Sequence, residues 1–193
     1  MNKTVWIIIA ILVILGFMGI SKYNSMVSKD EDVVAQWANV ETQYQRRADL
    51  IPNLVSTVKG YAAHEKDVFE SVTKARAQAT SVKIDASNLT PAMMQQYQAA
   101  QGGLNSALSR LLAVAERYPE LKANQNFLEL QAQLEGTENR IAVERRRYNE
   151  ITRDYNVYIR RFPNSMFAGM FGFERRPPFE AEEGSEKAPE VQF

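Results

Sequence analysis

The sequence predicts an all-α protein: an N-terminal transmembrane helix followed by an antiparallel up-down four-helix bundle with long helices. Three observations carry that expectation. Val5 to Ile20 is an uncharged apolar run. Apolar residues then recur at three-, four- and seven-residue spacings as far as Phe162, the periods of helix faces. Helix breakers are scarce, with nine glycines and seven prolines in 193 residues, and four of those prolines lie beyond Phe162. The chain divides into a short flank (1–4), an anchor (5–22), a helical domain (23–163), an apolar membrane-proximal segment (164–176) and a disordered acidic tail (177–193).

The run VWIIIAILVILGFMGI spans about 24 Å as a helix, slightly less than the roughly 30 Å hydrocarbon core of a bilayer. Thr4 and Ser21 extend it, and Lys3 and Lys22 can reach the headgroups. Gly16, Gly19 and Ser21 offer small-residue pairs for a signal peptidase, but the run is long for a cleaved signal and no Ala-x-Ala follows it. A retained single-pass anchor is therefore the expectation. Lys22 and Lys29 after the run are diluted by Asp30, Glu31 and Asp32, so the basic residues fix no orientation.

The first bundle helix leaves the membrane and runs to about Leu50. Met26, Val33 and Val40 share one heptad row, and Tyr23, Trp37 and Tyr44 an adjacent one that Arg47 would continue. Pro52 either kinks one long helix or starts a second, with Asp49 as its cap. Val58, Tyr61, Val68, Phe69 and Val72 carry the pattern to about Thr80. Ser81 to Pro91 has loop chemistry, and Thr90-Pro91 opens a third helix with Met94, Tyr97, Gln101, Leu104, Leu108 and Leu111 on its face. Gly102 and Gly103 inside it are expected to let another helix approach closely. Tyr118-Pro119 ends it, and a short connector leads to the fourth helix. There Phe127, Leu134, Ile141, Tyr148, Tyr155 and Phe162 repeat every seven residues. Taken this way the four helices are of nearly equal length and alternate in direction, which returns the chain to the bilayer after Phe162.

Two features stand out as candidate sites. Tyr148-Asn149 and Tyr155-Asn156 lie one heptad apart, and an asparagine beside a seam sets register or partner number. Asn149 and Asn156 are therefore candidates for self-assembly or register. The segment SMFAGMFGF, followed by Arg175 and Arg176, is apolar and membrane-proximal. Met166, Phe167, Met170, Phe171 and Phe173 are candidates for membrane contact, or for contact with a neighbouring subunit's anchor. The bland alternative is a stretch of chain tucked across the base of the bundle.

The sequence excludes much chemistry. There is no cysteine, so there are no disulfides, thiolate metal sites or cysteine nucleophiles. The one histidine, His64, is followed by Glu65 but has Val68 where a zinc-protease helix needs a second histidine. Carboxylate-bridged di-iron bundles need two Glu-x-x-His units. No Walker sequence, dinucleotide glycine motif or serine elbow occurs. With 23 basic and 23 acidic residues interleaved on helix surfaces, nucleic acid is not an expected partner. An enzyme is not expected, nor is a cofactor or a metal.

The stretches RRADLIPNLVSTVKGYAAHEKDVFESVTKARAQA (46–79), RLLAVAERYPELKANQNFLELQAQLEGTENRIAVERRRYNE (110–150) and RFPNSMFAGMFGF (161–173) resemble the bacterial LemA family. That resemblance implies a single-pass protein of the bacterial cell (inner) membrane with an antiparallel helical bundle. It brings no catalytic mechanism and no assigned residues. Relatives are linked to membrane remodelling, including magnetosome formation, or are encoded beside a membrane metalloprotease. The expected function is a non-enzymatic, membrane-anchored helical scaffold or adaptor that self-assembles on the lipid bilayer as a homo-oligomer and recruits partners. The alternative is a regulatory partner of a membrane protease or envelope-stress system.

Overall fold

A computed structural model describes residues 3–180. They form α1 (Lys3–Tyr61), α2 (Lys66–Ser81), a 3-10 turn (Ala86–Asn88), α3 (Pro91–Ala115), α4 (Pro119–Lys122), α5 (Gln125–Arg160) and α6 (Asn164–Phe171). No strand occurs among the described residues. α1 lies along α5, α2 lies along α3, and α6 rests on both α1 and α5. Successive long helices run antiparallel. Asp30, Gln36, Arg47 and Tyr61 of α1 meet Arg176, Glu144, Glu138 and Asn124 in turn, so α5 descends as α1 ascends. Gln101 against Ala79 and Arg110 against Ser71 set the same relation between α3 and α2.

α1 is one helix of 59 residues, about 88 Å long, and Pro52 lies inside it. Of the two outcomes open at Pro52, one helix running through it is the one observed, and the break comes at Ala62–Glu65, where His64 is exposed. The proline lacks the N–H that would bond the carbonyl of Ala48, four residues earlier. Arg76 of α2 supplies a donor in its place, Nε to Ala48 O at 2.8 Å. Asp49 is therefore no cap: its carboxylate accepts from Gln45 one turn before it. As a result the helices differ in length, with 59 residues in α1, 16 in α2, 25 in α3 and 36 in α5.

α3 begins as expected. The Thr90 hydroxyl accepts from the amide of Met93, with Pro91 in the first turn. Asn124 caps α5 the same way through the amide of Phe127. Gly102 and Gly103 do not mark a close approach: a Cβ at either would meet nothing within 4 Å. The α5 seam is buried at Phe127, Leu134, Ile141, Tyr148 and Tyr155, but Phe162, at 82 % exposure, lies past the helix end and outside it.

The core has two parts. A distal cluster gathers Ile51, Leu54, Val58, Val72, Leu104, Leu111, Leu121 and Phe127. A membrane-side cluster gathers Met26, Val33, Trp37, Tyr97, Ile141, Tyr148, Tyr155 and Phe179. Arg47 sits between them at 2 % exposure. Its guanidinium donates to Glu138 and to the Gln101 side chain, both at 2.7 Å, and lies 5.1 Å over the Tyr44 ring. Gln101 passes the connection to the Ala79 carbonyl of α2. One buried cation thus ties all four long helices where the two clusters meet.

Candidate membrane-proximal site

At the N-terminal end of α1, large apolar side chains face the outside, Trp6, Ile7, Leu12, Val13 and Ile20 among them, with Phe17 at 77 % exposure. This is the one helix among the described residues long and apolar enough to cross a membrane, judged by length and composition. Where the run ends, three pieces of chain converge: α1 near Gly19–Asp30, α6, and the extended segment Glu174–Glu180.

α6 meets α1 through two aromatics, Phe167 and the partly solvated Phe171. The Phe167 ring lies 3.5 Å from where a Cβ on Gly19 would stand. Tyr23 packs edge-on against Phe171, centroids 5.0 Å apart, and against Phe173 at 5.8 Å. Gly172, at φ 76°, ends the helix in the left-handed conformation, and the amide of Phe173 reaches back to Ala168 O at 3.0 Å. Of the five residues predicted for membrane contact, Met166, Met170 and Phe171 are exposed, while Phe167 and Phe173 are partly buried against the protein.

The tail expected to be disordered from Pro177 is ordered as far as Glu180, with Pro177 and Phe179 buried. Residues 181–193 lie outside the described residues. The Pro177-Pro178 pair holds this strap extended, since each proline fixes its own φ and restricts the residue before it. The two Tyr-Asn pairs of α5 grip it. Tyr155 OH donates to Glu174 O at 2.9 Å and Tyr148 OH to Pro177 O at 3.1 Å. The Asn156 amide donates to Arg176 O and accepts from Arg176 N, at 2.8 and 2.9 Å. The Asn149 amide makes the same pair of bonds with Phe179, at 3.0 and 2.8 Å.

The repeat has a metric cause. Seven helical residues advance about 10.5 Å, and three polyproline-type residues advance about 9.3 Å. A heptad on α5 therefore meets a triplet on the strap: 155 and 148 bind 174 and 177, while 156 and 149 bind 176 and 179. The asparagines expected to serve self-assembly or register bond this chain's own strap.

Two side chains fix the strap across the groove. Arg176 forms a two-point ion pair with Asp30 of α1, both contacts at 2.8 Å, and its third nitrogen donates to the Ser87 carbonyl. The Asp30 hydrogen bonds hold the Arg176 pKa above its ordinary value. The Phe179 ring stacks on Trp37 at 5.6 Å, meets Tyr148 edge-on at 5.3 Å, and lies under the Arg145 guanidinium at 4.9 Å. Burial pushes the Tyr148 and Tyr155 hydroxyls up to about 12. Sequence reasoning missed the strap's anchors: Pro177 to Phe179 read as the start of a disordered tail, Arg176 as a flank of the apolar segment, and Asp30 as a charge diluting Lys22 and Lys29.

Among the described residues no group of three or more histidine, aspartate or glutamate side chains gathers in a way that could hold a metal ion. The site is built for holding chain against chain at the membrane end of the bundle.

Two magnetosome proteins, MamQ 2 and MamQ 1 of Paramagnetospirillum magneticum, are each 29 % identical to this chain over 192 residues, covering 90 % of it and 71 % of their own length. The magnetosome protein MamQ of Magnetospirillum gryphiswaldense is 28 % identical over 188 residues, covering 86 % and 68 %. Protein LemA of Metamycoplasma hominis is 21 % identical over 149 residues, covering 77 % and 64 %. None of these names is that of an enzyme. The LemA family profile matches residues 36–193, a span that takes in the C-terminal part of α1, every later helix and the strap, and the chain belongs to the LemA family.

Proposed function

We propose that this chain is a membrane-anchored, non-enzymatic helical scaffold that assembles laterally and presents the distal end of its bundle to partner proteins. The observation that carries this reading is the continuity of α1. The apolar run and the core-forming half belong to one unbroken helix from Lys3 to Tyr61. An anchor joined by a flexible linker would leave the domain free to tumble. An anchor continuous with the core helix holds every copy at a similar angle and height, which favours weak contacts between neighbours in the plane. The distal tip is fastened by small contacts suited to a display surface: Asn124 to the Tyr61 hydroxyl at 2.9 Å, and Glu65 to Arg117 at 3.0 Å.

Crosslinking in native membranes tests it. A ladder of self-adducts is the expected result, and a clean monomer at saturating crosslinker counts against lateral assembly. If instead a single foreign protein is captured at one-to-one stoichiometry, the chain is a regulatory subunit of a membrane protease or envelope-stress system.

A further inference from the structure

The corner from Arg160 to Phe162 and the outer face of α6 are not explained by the core. Met166, 65 % exposed, and Met170, 74 % exposed, stand one turn apart on α6, and Phe162, 82 % exposed, lies in the turn just before it. Two observations say what covers it. The first is position. The inner face of α6 lies on Gly19 and Tyr23, where the membrane-length run of α1 ends, so the outer face stands at the level where a bilayer's headgroups meet its acyl chains. The second is charge. Arg160 and Arg161 are exposed before the corner, and Arg175 is exposed after the helix. Lys22 and Lys29 add two more cations on the same end, over the Tyr158 ring at 5.9 and 5.4 Å.

We propose that α6 and the Arg160–Phe162 corner form an in-plane membrane-contact element that takes anionic phospholipid headgroups. Met166, Met170 and Phe162 enter the interfacial layer, and the arginines bind phosphate oxygens. The membrane-side edge of the bundle then has two attachments, one spanning and one lying flat, and the second sets the rotation of α1 about its axis. This inference rests on α1 being a membrane anchor.

The absence of native cysteine gives a clean test on the full chain. Met170→Cys is labelled with an environment-sensitive fluorophore, and Glu120→Cys in α4 serves as a distal control. Each protein is reconstituted into vesicles of phosphatidylcholine alone or mixed with phosphatidylglycerol. Quenching by shallow spin-labelled lipids reports docking, and flotation reports the anchor separately. The expected result is quenching at position 170 and none at 120, stronger with phosphatidylglycerol and weakened by salt. Replacing Arg160, Arg161 and Arg175 by Gln should lower the docked-to-undocked ratio by roughly fivefold per arginine. Equal quenching in both lipids overturns the headgroup assignment. A label that is shielded but unquenched, with shielding that grows with protein density, overturns the lipid in favour of a neighbouring copy's anchor. A label as solvated as position 120 overturns the proposal outright. If the protein floats in any of these cases, the anchor stands and only the α6 assignment falls. Failure to float means that the anchor reading itself is wrong.

Discussion

Arg76 donates its Nε to the carbonyl oxygen of Ala48, the acceptor that Pro52 leaves without an amide. Helix α1 therefore continues through a proline because a side chain from the next helix fills the gap. This couples the two positions. Arg76→Met should cost about 1.5–3 kcal/mol, the range for a hydrogen bond to a charged donor. In a Pro52→Ala background the restored amide bonds Ala48, so the same substitution should cost about 1 kcal/mol less. Denaturant titration of the four proteins of the cycle in detergent measures the coupling. Equal costs in both backgrounds would show that the proline and the arginine act independently.

Loss of the asparagine clasps should free the strap without unfolding the bundle. Asn149→Leu with Asn156→Leu removes four hydrogen bonds, each contributing roughly 0.5–1.5 kcal/mol. Limited trypsin digestion reads this directly, because the Arg175–Arg176 bond lies in the strap, while Pro177 protects the bond after Arg176. Cleavage there should accelerate while cleavage within α5 stays slow. Phe179→Ala should accelerate it too, and in a Trp6→Phe background should shift Trp37 emission to the red as water reaches the indole.

The Arg47 junction should depend more on its buried amide partner than on its ion pair. Glu138 is 40 % exposed at the side chain, so solvent screens the pair, and glutamine keeps an oxygen that can accept from Arg47; Glu138→Gln should therefore cost under about 1 kcal/mol. Arg47→Met leaves the buried Gln101 oxygen without its donor and should cost about 1–3 kcal/mol. Arg47→Met with Gln101→Leu should recover part of that loss. Should Glu138→Gln match Arg47→Met in a urea titration, the ion pair dominates instead.

Alkaline pH should loosen the membrane end of the bundle. Tyr148 and Tyr155 have folded-state pKa values near 12, raised by burial above the ordinary value of 10. The unfolded chain thus gives up these protons first, and between pH 10 and 12 it binds fewer protons than the folded protein. Stability is fully present below pH 10 and falls as pH rises toward 12, by about 1.4 kcal/mol per pH unit for each tyrosine. Unfolding midpoints measured from pH 9 to 11.5 should show this slope, shallower in Tyr148→Phe. A flat profile would mean that these hydroxyls ionise freely in the folded state.

Much of the fold was legible because its signals are local. Thr90-Pro91 opens α3, Tyr118-Pro119 opens α4 just past the end of α3, and the α5 heptads keep one face against α1. The choice at Pro52 between one helix and two was not legible, since what decides it, Arg76, comes from another helix. The partners of Asn149 and Asn156 were hidden for a different reason. An extended strap has no hydrophobic period, and its Arg-Pro-Pro-Phe composition matches that of solvated tails. Of its residues only Phe179 gave a signal, one large apolar side chain in an acidic stretch.

The strap also sets how the molecule bears load. Tension applied at Glu180 runs along the strap, across the hydrogen bonds that hold Phe179 and Arg176 to α5. Such bonds are loaded together in shear and do not open one by one. The Arg176–Asp30 pair carries the pull sideways into α1, within a few turns of its apolar run. A partner tugging on the C-terminus would therefore pull on the anchor itself, with α6 and the rest of the bundle outside the line of force.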